Sequence, residues 1–256
     1  MLCFTGSTKV GKHLYTVAAE KFISVVLEMG GSAPGVIFAD ADIASVVDSI
    51  YANRFMGGGQ MCDGLKRLIV HKSRFYEVVK LLKAKILSKK IGDASNPSTE
   101  VGPLVAERQV KALEIQVEDA KSKGATIITG GKRPNGLAGA FYEPTLITNI
   151  KKDMKVWTEE TFGPVLPVIS FETESEAIEL ANDTTYGLGA YVITSDNKTF
   201  DRVASKILSG MVSHNNLSYI KPFNPFGGYK QSGIGREHGK YGFEDVTQVK
   251  VIASEK

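Results

Sequence analysis

The stretch Phe4–His13, FTGSTKVGKH, decides between two readings of the fold. Gly6, Gly11 and Lys12 have the spacing of a phosphate-binding loop, G-x-x-x-x-G-K, in which backbone N–H groups cradle phosphate. Such a loop continues with Ser or Thr to hold a metal ion, whereas His13 stands there. It also follows a hydrophobic strand, and only Met1, Leu2 and Cys3 precede Phe4. The alternative is a strand end that opens directly into a helix at Ser7, the surviving edge of a different cofactor site.

Outward from this stretch, β-branched runs alternate with helical patterns. Ile23–Met29 and Gly35–Asp40 are predicted strands, and Ile43–Phe55 is a helix with Val46, Val47, Ile50, Tyr51 and Phe55 close to a 3.6-residue period. Asp42 is its expected N-cap. Arg67–Lys72 is a strand, and Ser73 opens a helix through Tyr76, Val79, Leu82 and Leu87. A polar loop over 91–104 precedes a helix at Glu107–Lys123, which Gly124 stops. Thr126–Gly131, Glu143–Ile150, Val165–Phe171, Gly189–Thr194 and Gly210–Asn215 are further predicted strands. Ser175 is the expected cap of a helix through Leu180, and another helix covers Asn197–Ser205. A loop then runs to about Tyr241, and Thr247–Ala253 closes the chain as a strand. The alternation implies a mostly parallel sheet covered by helices. Residues 1–34 hold one strand–helix–strand unit, which cannot bury both faces of a sheet and reads as the end of a domain.

Composition agrees with a soluble cytoplasmic α/β protein. Hydrophobic residues make up 43% and charged residues 23% of 256, enough for a core and against disorder. A net charge of +3 is too small to argue for nucleic acid or a membrane surface. No basic N-terminal segment leads an apolar run, so no signal peptide is expected. Two cysteines, Cys3 and Cys62, and four scattered histidines make neither a disulfide framework nor a zinc motif, so no metal is expected.

Chemistry concentrates in GGGQMCDG, residues 57–64, where three glycines and a glutamine lead to Cys62. A nucleophilic thiol needs a tight loop that exposes sulfur and aims an N–H at a developing oxyanion. A lone cysteine is also, commonly, a small buried hydrophobe. In LEMGG, Glu28 stands between apolar residues before two glycines, either as a general base of raised pKa or as a surface carboxylate at a strand end.

Five motifs in order, FTGS, LEMGG, GQMC, EETFGP at Glu159–Pro164 and PFGGYKQSGIGRE at Pro225–Glu237, resemble the aldehyde dehydrogenase superfamily, in its NAD(P)-dependent, non-phosphorylating branch. The resemblance runs from residue 4 to about 251. It implies a remnant of a Rossmann-type coenzyme domain at 1–34, a catalytic α/β domain at 35–223 and a returning tail with an oligomerisation strand at 224–256. It makes the phosphate-loop spacing accidental and places Gly6 and Ser7 beside the coenzyme pyrophosphate. It implies that Cys62 attacks an aldehyde, that a thiohemiacetal becomes a thioester, and that Glu28 assists its hydrolysis to a carboxylic acid. Glu160 matches the residue that holds the nicotinamide ribose, Phe162 packs nearby, and Asn215 matches an active-site asparagine. Glu237 is either a second proton relay or an ion-paired helix-start residue.

The resemblance further implies over two hundred residues before FTGS, supplying most of the dinucleotide fold and one oxyanion donor. Binding of NAD or NADP by this chain alone is therefore expected to be impaired, and a homo-oligomer or a separate coenzyme-domain chain is the expected partner. The alternatives are a cofactor-free, esterase-like remnant and an inactive subunit. Asp63, directly after the nucleophile, opposes thiolate formation, with Lys66 and Arg67 as possible counterweights.

Overall fold

A computed structural model describes residues 1–255. In chain order the elements are β1 (Leu2–Thr5), α1 (Thr8–Glu20), β2 (Val25–Glu28), β3 (Ala33–Ile37), α2 (Ile43–Phe55), β4 (Leu65–His71), α3 (Phe75–Leu87), α4 (Glu107–Ser122), β5 (Thr126–Thr129), β6 (Thr145–Thr148), α5 (Lys155–Thr158), β7 (Val165–Phe171), α6 (Glu174–Asn182), β8 (Gly189–Ile193), α7 (Asn197–Ala204), β9 (Met211–His214), β10 (Gly233–Ile234) and α8 (Gly239–Asp245).

Seven strands form one sheet in the order β5-β6-β7-β4-β3-β8-β9. All pairs are parallel except β5 with β6. Its central strands β3 and β8 are buried at every position because helices cover both faces. Side chains alternate between two cores. Val36, Ile69, Val165, Ala190 and Val192 face one core, while Ile37, Leu68, Val70, Leu166, Tyr191 and Ile193 face the other. The first core holds buried residues of α4 to α7, and the second those of α2 and α3.

The smaller sheet is β1-β2-β10, with β1 parallel and β10 antiparallel to β2. The break between the two sheets falls between Glu28 and Ala33. The C-terminal segment covers the edge of β2 away from β1: Gly233 pairs with Glu28, and Met29 N–H donates to Ser232 O at 2.9 Å. The opening stretch is a strand–helix junction. Lys12 Nζ donates to Gln231 Oε1 at 3.0 Å, and a Cβ at Gly11 would collide with Met29. The G-K spacing therefore serves helix packing.

Three local expectations are corrected. Thr173, not Ser175, caps α6: its hydroxyl accepts from Glu176 N–H at 3.2 Å, and Glu176 reaches back to Glu172 N–H at 2.8 Å. The presumed loop before Tyr241 contains β10 and the start of α8. Residues 247–253 form no strand in this chain, because no sheet edge of the same chain meets them; Val249, Val251 and Ile252 are almost fully exposed.

Candidate active site

A cavity of about 660 Å³ lies where the two sheets meet. Its lining includes Gly6, Ser7, Glu28, Cys62, Glu160 and Phe162, six of the seven residues singled out in the sequence. The seventh, Asn215, is placed elsewhere. It follows β9 at the carboxyl end of the large sheet, where its amide bonds both Thr194 N–H (3.0 Å) and Thr194 O (2.8 Å). Cys62 precedes β4 at the amino end. In this parallel sheet the two are separated by the length of a strand, so Asn215 pins β9 to the end of β8 and is corrected to a structural residue.

Local sequence explains how Cys62 is presented. Gly57, Gly58 and Gly59 take successive φ values of 60°, 67° and 70°, which L side chains rarely adopt. At Gly59 a Cβ would also lie 2.5 Å from Gly163 O. Arg54, fully buried on α2, holds this turn to the EETFGP segment. Its guanidinium donates to Val165 O at 2.9 Å and Thr161 O at 3.0 Å, and also to Gly163 O. Gln60 closes the other side, donating to Gly57 O (3.0 Å) and accepting from Val105 N–H (2.9 Å). The signal for Arg54 was its place on the apolar face of α2, four residues after Ile50.

Glu28 ends β2 with its side chain 4% exposed and neither carboxylate oxygen hydrogen-bonded. Burial and the neighbouring charge of Glu237 push its pKa up to about 8, against a smaller opposing effect of Arg236. The Cys62 thiol is pushed up to about 11, first by burial and then by Asp63, with Lys66 acting the other way.

Lys66 is the strongest feature that motif reading left as a mere counterweight. Buried to 1% exposure, its ammonium donates to Gly31 O (2.9 Å), Cys62 O (3.0 Å) and Glu160 Oε1 (2.5 Å). It also lies 5.3 Å from the Phe162 ring centroid. Burial lowers its pKa, and the Glu160 carboxylate holds the proton in place. Gly31 N–H donates to the same Glu160 oxygen at 3.1 Å. A Cβ at Gly30 would collide with the Glu160 carboxylate, and one at Gly31 would lie 2.5 Å from Cys62 O. The two glycines after Glu28 thus let the nucleophile loop and Glu160 close on each other.

Ser7 caps α1, accepting from Val10 N–H at 3.4 Å, so the positive end of a 13-residue helix opens on the cavity beside Cys62. Among the described residues there is no metal-ligating cluster of His, Cys, Asp and Glu, and no helix is long and apolar enough to cross a membrane.

The aldehyde dehydrogenase family profile matches residues 1–252. A pea aminoaldehyde dehydrogenase is 42% identical over 98% of this chain, and a probable succinate-semialdehyde dehydrogenase of Sinorhizobium fredii is 38% identical over 98%. Among solved structures, the NAD+ complex of an aldehyde dehydrogenase from Bacillus cereus superposes with a TM-score of 0.93 at 39% identity, over 97% of this chain. The chain spans about half the length of these relatives: 50% and 51% of the two enzymes and 50% of the solved chain. With the family profile matching nearly the whole of this chain and the solved structure superposing over 97% of it, this chain belongs to the aldehyde dehydrogenase family.

Proposed function

We propose that this chain carries the thiol and hydrolytic machinery of an NAD(P)-dependent aldehyde dehydrogenase, oxidising an aldehyde to a carboxylic acid. The observation that carries the reading is Cys62 and an unpaired, buried Glu28 lining one cavity with the N-terminus of α1. Cys62 Sγ attacks the aldehyde carbon, and its proton leaves through water toward Glu28. The Cys62 loop, held open by three left-handed glycines, leaves room for the tetrahedral carbon. Once a thioester stands on Cys62, Glu28 takes a proton from the attacking water; a pKa near 8 suits that exchange.

The residues fit a pyridine dinucleotide. Ser7 opens α1, whose positive end faces the cavity and suits phosphate, Gly6 beside it has its own N–H held by Glu28 O at 2.9 Å, and Glu160, fixed by Lys66 and Gly31, offers a carboxylate to a ribose. Bound there, the dinucleotide supplies the hydride acceptor for the oxidation. The exposed run at 247–253 is suited to pair with a sheet edge of a second chain, which makes an oligomer the working form.

Hydrolysis of p-nitrophenyl acetate tests the thiol chemistry without coenzyme. We expect release of nitrophenol that Cys62→Ala abolishes, and an initial burst that Glu28→Gln preserves while slowing the turnover after it. Equal rates for Cys62→Ala and the parent would refute the assignment.

A further inference from the structure

Asp63 is the one cavity carboxylate to which the proposed chemistry gives no task. It is 6% exposed and lines the cavity directly beside the nucleophile, with its Oδ1 4.0 Å from Cys62 Sγ. Its placement is built. Tyr191 and Tyr219, stacked at 5.4 Å, both donate to Asp63 O, at 2.8 and 3.3 Å. Asn53 fixes Tyr191 from α2, donating to its hydroxyl at 3.2 Å, and accepts from Leu65 N–H at 2.6 Å. Among the described residues no cation lies within ion-pair distance of Asp63; the ammonium of Lys66 is bound to Glu160. A buried carboxylate on a backbone pinned in this way, lining a cavity and left without a cation, is a recognition element for a donor that arrives with the ligand.

The distance limits where that donor sits. Once the carbonyl carbon is bonded to Sγ, a hydroxyl or ammonium on the next carbon lies roughly 3–4 Å from sulfur by ordinary bond lengths. That is within hydrogen-bond reach of an oxygen 4.0 Å from the same sulfur. We infer that Asp63 selects aldehydes bearing a hydrogen-bond donor on the carbon beside the carbonyl, or one carbon further, and rejects those with an anionic group there. This rests on the thiol assignment of the preceding section and deepens it. Rejection follows from bringing a second negative charge into a desolvated wall.

Charged thiol reagents test it on the chain itself, with Cys3, which is exposed, as the internal control. Methyl, 2-aminoethyl and 2-sulfonatoethyl methanethiosulfonate are reacted with the protein, and labelling of each cysteine is followed by peptide mass spectrometry. The cationic-to-anionic rate ratio at Cys62 should exceed that at Cys3 by about tenfold or more, as expected for one poorly screened charge. The preference should survive Glu28→Gln and disappear in Asp63→Asn. A Cys62 ratio within twofold of the Cys3 ratio in the unaltered chain overturns the inference, and that comparison stands even if Asp63→Asn does not fold. A preference lost in Glu28→Gln, or kept in Asp63→Asn, overturns it too. Failure of the small neutral reagent to reach Cys62 while labelling Cys3 overturns the thiol assignment itself, and this inference with it.

Discussion

Glu28→Gln gives the sharpest quantitative test of the site. The substitution keeps shape and removes charge. In the parent, folding raises the Glu28 pKa from 4.5 to about 8. A group of raised pKa holds its proton more tightly in the native chain, so folding carries no penalty from it well below pH 4.5. The penalty grows as pH rises, because the unfolded chain then releases a proton that the folded chain keeps, and it is complete above about 8. Between pH 5 and pH 9 this amounts to about 4 kcal/mol lost from the parent, at 1.36 kcal/mol per unit of pKa. Glutamine does not titrate, so the variant should lose none of this. Urea unfolding of both proteins at pH 5 and pH 9 measures the difference directly. Glu28→Gln should gain about 4 kcal/mol on the parent between the two conditions, an upper value since water entering the cavity would reduce it. Stability profiles that run parallel within about 1 kcal/mol would show that Glu28 is hydrated or paired, and the case for it as a high-pKa base would fall.

Three other outcomes follow from the same geometry. The rate of Cys62 alkylation by iodoacetamide should climb steeply with pH without levelling off below 10, because the thiol is pushed up to about 11, and Lys66→Met should slow it further at every pH by removing the nearby positive charge. Arg54→Met should cost roughly 3–5 kcal/mol in chemical denaturation, since it strips a fully buried guanidinium from the carbonyls of Thr161, Gly163 and Val165. Gly59→Ala should destabilise by about 1–3 kcal/mol and cut the p-nitrophenyl acetate rate more than it lowers stability, since the strain at φ 70° falls on the loop that presents Cys62.

The large sheet was legible because both of its faces are buried. Strands such as Ala33–Ile37 and Gly189–Ile193 are buried at every position and carry no charged side chain, and that signal survives in one dimension. The helices Ile43–Phe55 and Glu107–Ser122 were legible for a similar reason: one face meets a core, and Asp42 and Gly124 mark their ends. Six candidate residues converged because short motifs, glycines above all, record where the backbone must turn or come close. Asn215 failed that way, since a motif position carries no information about which end of a strand it occupies. The β10 pairing was invisible in a glycine- and lysine-rich run, because a two-residue strand against β2 has no periodicity to read.

The sequence by itself determined the alternation of strands and helices, the family resemblance, and the identity of Cys62 and Glu28 as the groups worth testing. Only the tertiary structure decided their chemical state. Glu28 is buried against β10 with neither carboxylate oxygen hydrogen-bonded, Lys66 is tied to Glu160 from 94 positions away, and Asp63 is left without a cation. Proton affinity depends on burial and on charges a few ångströms distant. Those neighbours come from parts of the chain whose separation in sequence says nothing about their distance in space.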